Sequence, residues 1–465
     1  MSRLVVVGGG IAGLAAAWAA RTAAVRAGVA LEVLVIERRD DVGGKARTIT
    51  RDGWLVEGGP SGFLGGREEF DLLLHASALT DDVVPARDAA KRRFLYRAGR
   101  LREIKASPVG FVRSRILSVH GLLRVGAEPF VPRARGNDDE SVWAFAARRL
   151  GAEAADRLVA PMALGIFAGD ARRLSLASAF PRMANLEREH GSLIRALVAR
   201  RGRTRTRPLL SLRGGMQALP VALARRGGFT VRCGATVCAI GRAADGWTVT
   251  IHGDGAPIAA DAVILAAEPW ASADLLRPLA SDAADALSAV PCPPVSVVAL
   301  GFGPGSRARI PDGFGVLIAR GEGFRMLGNL WETSLYPRRG PAGGILVRAI
   351  FGGAVDEAMG ALDDDETLAL ARDEVSRLYG LSLTPVFEQV VRVPRAIPQY
   401  EVGHRKRVAA VERAVESLPG LGITGCGLRG VAFADAAVDG VRTGDALGRW
   451  VITRSAAALE LQAGR

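Results

Sequence analysis

The chain has 465 residues, 49% of them apolar and 23% charged, with a net charge of +13. That length and balance suit a folded protein of two or three domains and exclude a disordered or fibrous chain. No run approaches the ~18 uninterrupted apolar residues of a transmembrane helix. The first motif begins too close to Met1 for a secretion signal, and the four cysteines lack CxxC spacing. A cytoplasmic protein with reduced thiols and no metal site is therefore expected.

Leu4-Val5-Val6-Val7 is a short apolar β run, followed at once by Gly8-Gly9-Gly10-Ile11-Ala12-Gly13. An Ala-rich helical stretch runs to about Ala27. A second strand, Leu31 to Ile36, delivers Glu37, 24 residues after Gly13. Strand, glycine turn, helix, strand and acid in that order form a dinucleotide-binding unit. Gly8 makes the tight turn, Gly10 lets the backbone reach a pyrophosphate, and Gly13 lets helix and strand pack closely. The helix N-terminus offers free N–H groups and partial positive charge to the phosphates, and Glu37 would accept hydrogen bonds from a ribose. A plain βαβ crossover leaves the three glycines and the acid without a purpose.

Gly43-Gly44-Lys45 follows, then a strand pair and Glu57-Gly58-Gly59-Pro60-Ser61-Gly62-Phe63. Two glycine clusters so soon after the first unit press backbone against a large flat cofactor. An extended FAD needs that second half-site, and an NAD enzyme does not. From Pro85 to Arg201 helical patterns dominate. Residues 86–201 hold 23 Lys and Arg against 11 Asp and Glu, a net +12 and nearly all the chain's excess. Over residues 109–125, Phe, Ile and Leu interleave with Arg113, Arg115 and Arg124. That mixture suits a helix lying on an anionic membrane surface, and a solvated basic face over an ordinary core accounts for it equally well. Arg133 to Glu140 reads as a polar loop, and Ser141 as the cap of a helix containing Trp143 and Phe145.

Strands return at Phe229 to Cys233, Thr236 to Ile240, Trp247 to Ile251 and Asp261 to Ala267. Val237 falls where an extended strand could pair its backbone with an adenine edge. Farther on, Val295 to Phe302, Phe314 to Ile318 and Ile345 to Phe351 read as sheet, and Asp364 to Leu378 as helix. A last strand, Gly420 to Gly425, leads through a glycine turn to a helix starting near Ala434. In a flavoprotein that helix end faces the N1/C2=O edge of the ring, where charge accumulates on reduction. The expected class is α/β: a Rossmann-like FAD-binding domain of the two-dinucleotide-binding-domain type. It is assembled from residues 1–85, 202–269 and 395–465, with a mixed α+β substrate domain at 270–394 and a helical, basic insertion at 86–201.

Over nearly its whole length the chain resembles the flavin-dependent protoporphyrinogen and coproporphyrinogen oxidases, within the amine-oxidase-like flavoproteins. Gly59 to Phe63, Gly165-Ile166-Phe167-Ala168-Gly169-Asp170, Phe314-Gly315-Val316-Leu317 and Ile397-Pro398-Gln399-Tyr400 with Gly403-His404 carry the resemblance. It implies a non-covalent FAD and a six-electron oxidation of protoporphyrinogen IX, or of coproporphyrinogen III, with hydrogen peroxide released from molecular oxygen. Carried over by position, cofactor contacts come from Gly8, Gly10, Ile11, Ala12, Gly13, Glu37, Arg38, Gly44 and Lys45. Gly59, Pro60, Ser61, Gly62, Val237, Cys426, Val431, Ala432 and Phe433 complete them. Arg93 would anchor a propionate, the Gly165 carbonyl would meet pyrrole N–H groups, and Leu317, Leu330 and Ile350 would sandwich the macrocycle. No side chain is assigned a catalytic role, because flavin N5 takes the hydride. The resemblance also implies a homodimer and hand-over of product to ferrochelatase. Cys426, Leu428, Ala437 and Val393 depart from the residue types usual at their positions.

Two related activities compete. A flavin amine oxidase would require a lysine from the second domain, and no lysine lies between Lys105 and Lys406. A carotenoid desaturase would share the first domain but not the Gly165–Asp170 and Ile397–His404 stretches. A nucleic-acid-binding module finds little support, since aromatics are 6% and no strand face interleaves them with arginine.

Overall fold

The computed structural model describes residues 2–105, 107–134, 139–199, 207–306, 310–380, 382 and 384–463. Part of the expected 133–140 loop and the expected boundary at 201–202 lie outside these residues. Five parallel strands form the first sheet, in the order Thr230–Arg232, Leu31–Ile36, Ser2–Val7, Ala262–Leu265, Leu421–Ile423. These segments come from three separate parts of the chain. Their apolar side chains are buried on both faces, as a parallel sheet requires.

One face is covered by helix Ile11–Arg26, which lies against the C-terminal helix Phe433–Ala463. The contact is close because glycines recur every four residues. A Cβ on Gly440 or Gly444 would sit 2.2 Å from the Ala12 carbonyl oxygen or 2.0 Å from that of Ala16. The opposite face carries the antiparallel strands Val237–Ala243, Gly246–Ile251 and Ile258–Ala260, with Trp247 fully buried beneath them.

The second sheet has seven strands. Their order is Phe387–Val393, Val295–Phe302, Ile345–Gly352, Gly328–Trp331, Gly315–Ile318, Arg93–Arg97, Arg100–Glu103. One face packs Val298, Val316, Trp331, Val347 and Phe351 against helix Asp364–Tyr379. Asp363 and Glu366 cap that helix reciprocally, and Gly380 ends it at φ 65°.

Two expectations are corrected here. Residues 93–103 are not helical: they form a hairpin that joins the substrate-side sheet by parallel pairing of Arg93–Tyr96 with Gly315–Ile318. Their arginines masked a strand whose Phe94 and Leu95 are both buried, one on each face of the sheet. Residues 269–288 are helices that pack under the first sheet through Ala273, Leu276, Ala283 and Leu287, so the second sheet begins only at Val295. Helices do dominate the described residues from 108 to 199. Ser141 caps helix Val142–Leu150 by accepting from the Ala144 N–H, as its sequence suggests. No helix among the described residues is long and apolar enough to cross a membrane.

Candidate active site

The first glycine turn delivers bare backbone. Gly10 precedes helix Ile11–Arg26 without a side-chain cap and without an acid in the first turn, leaving the leading N–H groups available. A Cβ on Gly10 would meet nothing within 4 Å, whereas one on Gly8 would strike the Ala266 carbonyl at 2.6 Å and one on Gly13 that of Gly8 at 2.0 Å. Gly10 faces open space, and Gly8 and Gly13 are packed too tightly for a side chain. Ile11 and Ala12 are buried, and Ala12 abuts the C-terminal helix. Glu37, 8% exposed, accepts from the Gly9 N–H at 2.6 Å and the Arg39 N–H at 2.8 Å. Its carboxylate shapes the glycine turn and keeps lone pairs free for a ribose.

The second glycine cluster is stitched to the first by the Gly43 N–H donating to the Gly9 carbonyl at 2.9 Å. Arg39 donates to the Gly44 carbonyl at 2.9 Å, and Arg38 beside it is, like Arg39, exposed. Ala235 and Gly234 donate to the carbonyls of Glu37 and Arg39, which brings the start of the Val237 strand to the same end. Val237 pairs with Ile251 at a bulge. Lys45 Nζ lies 2.7 Å from Glu268 Oε2. Burial opposes its charge, but Cys426 and Glu268 nearby outweigh that and raise its pKa above the ordinary lysine value.

Gly59 to Gly62 runs between the two sheets, and a Cβ on Gly59 would sit 2.0 Å from the Lys45 carbonyl oxygen. The segment is fixed from below by two buried ion pairs. Arg339 meets Glu57 at 2.9 Å, and Arg348 meets Glu332 at 2.7 Å. Arg348 also donates to the Glu57 carbonyl, to the Gly59 carbonyl at 2.9 Å and to Ser61 Oγ, while Ser61 Oγ donates to Glu332 at 2.8 Å. Burial raises the Glu57 pKa against the opposing pull of Arg339. Arg348 interrupts an apolar strand, Ile345-Leu346-Val347-Arg348-Ala349-Ile350-Phe351, which is the one local sign of this network.

At the C-terminus, the Thr424 N–H donates to the Leu265 carbonyl, Gly425 stands at φ 121°, and a Cβ on it would meet nothing within 4 Å. Cys426 is free, with its thiol pKa raised by burial. Val431 packs among Val142, Phe167 and Tyr400, Ala432 is exposed, and Phe433 opens the long helix against Phe70. Two glycine turns, one opening helix Ile11–Arg26 and one leading to helix Phe433–Ala463 with its Gly425 N–H held by Asp439, thus stand at one side of the parallel sheet.

The proposed substrate residues share one face of the second sheet. Arg93 pairs with Gly315, Leu317 with Gly328, and Leu330 with Arg348, while Ile350 lies two residues on from Arg348. By strand alternation all four point away from the Val316–Trp331 core. Leu317 touches helix Ala160–Phe167, because a Cβ on Gly165 would sit 2.4 Å from Leu317 Cδ2. In the last turn of that helix the Leu164 carbonyl takes Ala168 N–H and the Phe167 carbonyl takes Gln399. No donor from beyond the helix reaches the Gly165 carbonyl among the described residues. Arg93 is exposed, lies 5.1 Å from the Phe314 ring and makes no ion pair among the described residues.

A family model described as flavin containing amine oxidoreductase matches residues 11–447. The coproporphyrinogen III oxidase of Bacillus subtilis (strain 168) is 29% identical over 448 residues, covering 93% of this chain and 95% of its own. The chloroplastic protoporphyrinogen oxidase of Oryza sativa subsp. japonica is 32% identical over 441 residues, covering 88% and 81%. A solved structure from Exiguobacterium sp. 255-15, provisionally described as a protoporphyrinogen oxidase, shares the fold with a TM-score of 0.85 at 23% identity, covering 96% and 98%. The chain belongs to the flavin containing amine oxidoreductase family, in the branch of the protoporphyrinogen and coproporphyrinogen oxidases. It is an oxidoreductase and a flavoprotein, and its cofactor is FAD.

The residues present fit that group. The uncapped N-terminus of helix Ile11–Arg26 and the open space over Gly10 suit phosphates, the space over Gly425 suits a flavin edge, and the Gly59–Gly62 segment lies between them and the second sheet. Gly43 and Glu57 belong to glycine clusters that the sequence singles out, whereas Arg39, Glu268, Glu332, Arg339 and Arg348, which also brace this cradle, carry no assignment from sequence.

Proposed function

We propose that the protein oxidises protoporphyrinogen IX to protoporphyrin IX. The observation that carries this reading is the shared sheet face: Leu317, Leu330 and Ile350 form an apolar wall, with Arg93 and, on the same face of its strand, Arg97 at its edge, neither in an ion pair among the described residues. A macrocycle with propionates along one side and apolar vinyl groups along the other matches that asymmetry. A bound FAD would supply the two-electron acceptor for hydride from a meso carbon, and loss of six electrons and six protons from the porphyrinogen would be balanced by three molecules of oxygen reduced to three of hydrogen peroxide. The protein's own work is to bind and orient. Arg93 holds a carboxylate, the Gly165 carbonyl accepts a pyrrole N–H, and the apolar wall excludes water. Aromatisation drives the reaction, and the face holds no histidine or lysine to serve as a base. The FAD is held without a covalent bond, by the contacts that the glycine turns, Glu37, Lys45 and the Gly59–Gly62 segment offer.

Coproporphyrinogen III is the second reading, favoured by the Bacillus subtilis relative. It carries propionates where protoporphyrinogen carries vinyl groups; Arg97, Arg100 and Arg102 stand on the Arg93 face by strand alternation and would meet extra carboxylates, whereas Arg348 is already committed to Glu332. Side-by-side kinetics with both porphyrinogens, followed by porphyrin fluorescence, test the choice. A higher kcat/KM for coproporphyrinogen III would overturn the assignment.

The helices Pro108–Arg113 and Val119–Gly126 supply a surface for an anionic membrane. Val112, Val119, Leu123 and Phe130 are 52%, 75%, 69% and 84% exposed, near the exposed Arg113 and Arg115, while Arg124 is turned onto the Arg148 and Arg149 carbonyls. Large apolar side chains held in water next to cations match a lipid headgroup layer.

A further inference from the structure

One motif has no role in the reading so far: the segment Ile397-Pro398-Gln399-Tyr400 with Gly403-His404. Its side chains are buried, with Gln399 1%, Tyr400 3% and His404 2% exposed. It runs between the substrate-side helix Ala160–Phe167 and the C-terminal glycine turn, and it bonds to both. On the substrate side, Gln399 Nε2 donates to the Phe167 carbonyl at 2.8 Å. A Cβ on Gly169 would sit 2.3 Å from Gln399 Oε1, so the amide fills the space that glycine leaves. Between these two residues Ala168 is held at φ 48°, an uncommon conformation for alanine, and its carbonyl accepts from the Ala354 N–H at 2.8 Å. The Ser175 N–H donates to the Tyr400 carbonyl, and the Gly403 N–H to Asp139 Oδ2, each at 2.8 Å.

On the other side, the Tyr400 hydroxyl donates to the Cys426 carbonyl at 2.5 Å. His404 Nε2 lies 2.9 Å from the Leu428 carbonyl, and since that oxygen can only accept, Nε2 carries the hydrogen. The Tyr400 and His404 rings stack at 4.1 Å and 17°. One short buried segment therefore fixes the end of the helix bearing Gly165 and the turn between Gly425 and Gly430. No other segment described above bonds to both.

We infer that Gln399 and Tyr400 are positioning residues that act as one strap, setting the separation between the substrate-binding helix and the flavin-side turn. This inference rests on the functional reading above, and neither residue touches a reacting atom.

The test uses the FAD-loaded protein, the variants Gln399→Met and Tyr400→Phe, and their combination. Both substitutions conserve volume and remove only the polar contacts. Protoporphyrinogen is mixed with each protein anaerobically and flavin bleaching is timed, alongside the visible circular dichroism of the oxidised flavin and its content per chain. Each single variant is expected to slow bleaching about tenfold with FAD retained. The double variant should be about as slow as the slower single, because the two act on one separation. Tyr400→Phe should shift the flavin dichroism and Gln399→Met should leave it unchanged, since only Tyr400 bonds to the turn. Parental bleaching rates in both variants, or slowing that multiplies in the double, would overturn the strap. A parent protein that reacts keeps the functional reading intact in that case. A parent whose flavin is not bleached by porphyrinogen overturns both.

Discussion

Replacing Arg93 by alanine separates substrate anchoring from cofactor binding. Arg93 is exposed and makes no ion pair among the described residues, so its removal orphans no protein group and should change stability by less than about 0.5 kcal/mol. What is lost is a charge-assisted contact to a substrate carboxylate. A desolvated contact of that kind contributes roughly 1.5–3 kcal/mol, but solvent at this exposed edge screens the pair and favours the lower end. About 1.4 kcal/mol corresponds to tenfold. Arg93→Ala is therefore expected to raise KM for protoporphyrinogen about tenfold with kcat nearly unchanged, because a propionate contact is alike in ground and transition states. Arg93→Lys should recover most of the loss, since charge matters more than fork geometry in a screened contact. Steady-state porphyrin fluorescence with flavin absorbance per chain measures both quantities. An unchanged KM accompanied by lost flavin would show that Arg93 serves the cofactor and would refute the reasoning.

Arg339→Met leaves Glu57 buried without its cation, and a stability loss of about 3–5 kcal/mol is expected by chemical denaturation; a loss below about 1 kcal/mol would contradict the burial seen here. Gly444→Val places a branched side chain where a Cβ already lies 2.0 Å from the Ala16 carbonyl oxygen, so the melting temperature should fall and FAD retention with it. Burial lowers the His404 pKa below its ordinary 6.5, so the unfolded chain binds a proton that the folded chain refuses; stability is fully present above about pH 6.5 and declines as pH falls below it. His404→Gln should flatten that part of the profile, and an unaltered slope would assign it to another group. Co-sedimentation with anionic vesicles should be strong at low salt and weaken as salt rises, and Leu123→Glu with Phe130→Glu should abolish it; a protein that stays in the supernatant at low salt refutes the membrane surface.

The first strand, glycine turn, helix and second strand were legible almost to the residue, because local rules decide them. The glycines, alanines and Glu37 each satisfy a constraint imposed within 30 or so residues of chain. The capped helices at Ser141 and Asp363 have the same character. Residues 93–103 were misread because arginines mask the strand and the partner strand is distant. The bracing of the site was hidden for a stronger reason. Arg339 and Glu57 are 282 positions apart, and Gln399 and the Phe167 carbonyl 232. Arg348 announces itself by interrupting an apolar strand, but nothing local marks Arg339 as buried in a chain so rich in arginine. The four-residue spacing of Gly440, Gly444 and Gly448 carries no signal by itself and acquires meaning only beside Ala12, Ala16 and Ala20. For the substrate face, Leu317, Leu330 and Ile350 were assigned through resemblance, and strand register now gives a physical reason for grouping them with Arg93.

The most direct test of the account is anaerobic mixing of the purified, flavin-loaded protein with a slight excess of protoporphyrinogen IX, recorded by absorbance and porphyrin fluorescence together. Bleaching of the bound flavin, followed by its return and growing porphyrin emission when oxygen is admitted, is the predicted result. A flavin that stays oxidised in the presence of the porphyrinogen, or a protein that binds no flavin, would contradict it.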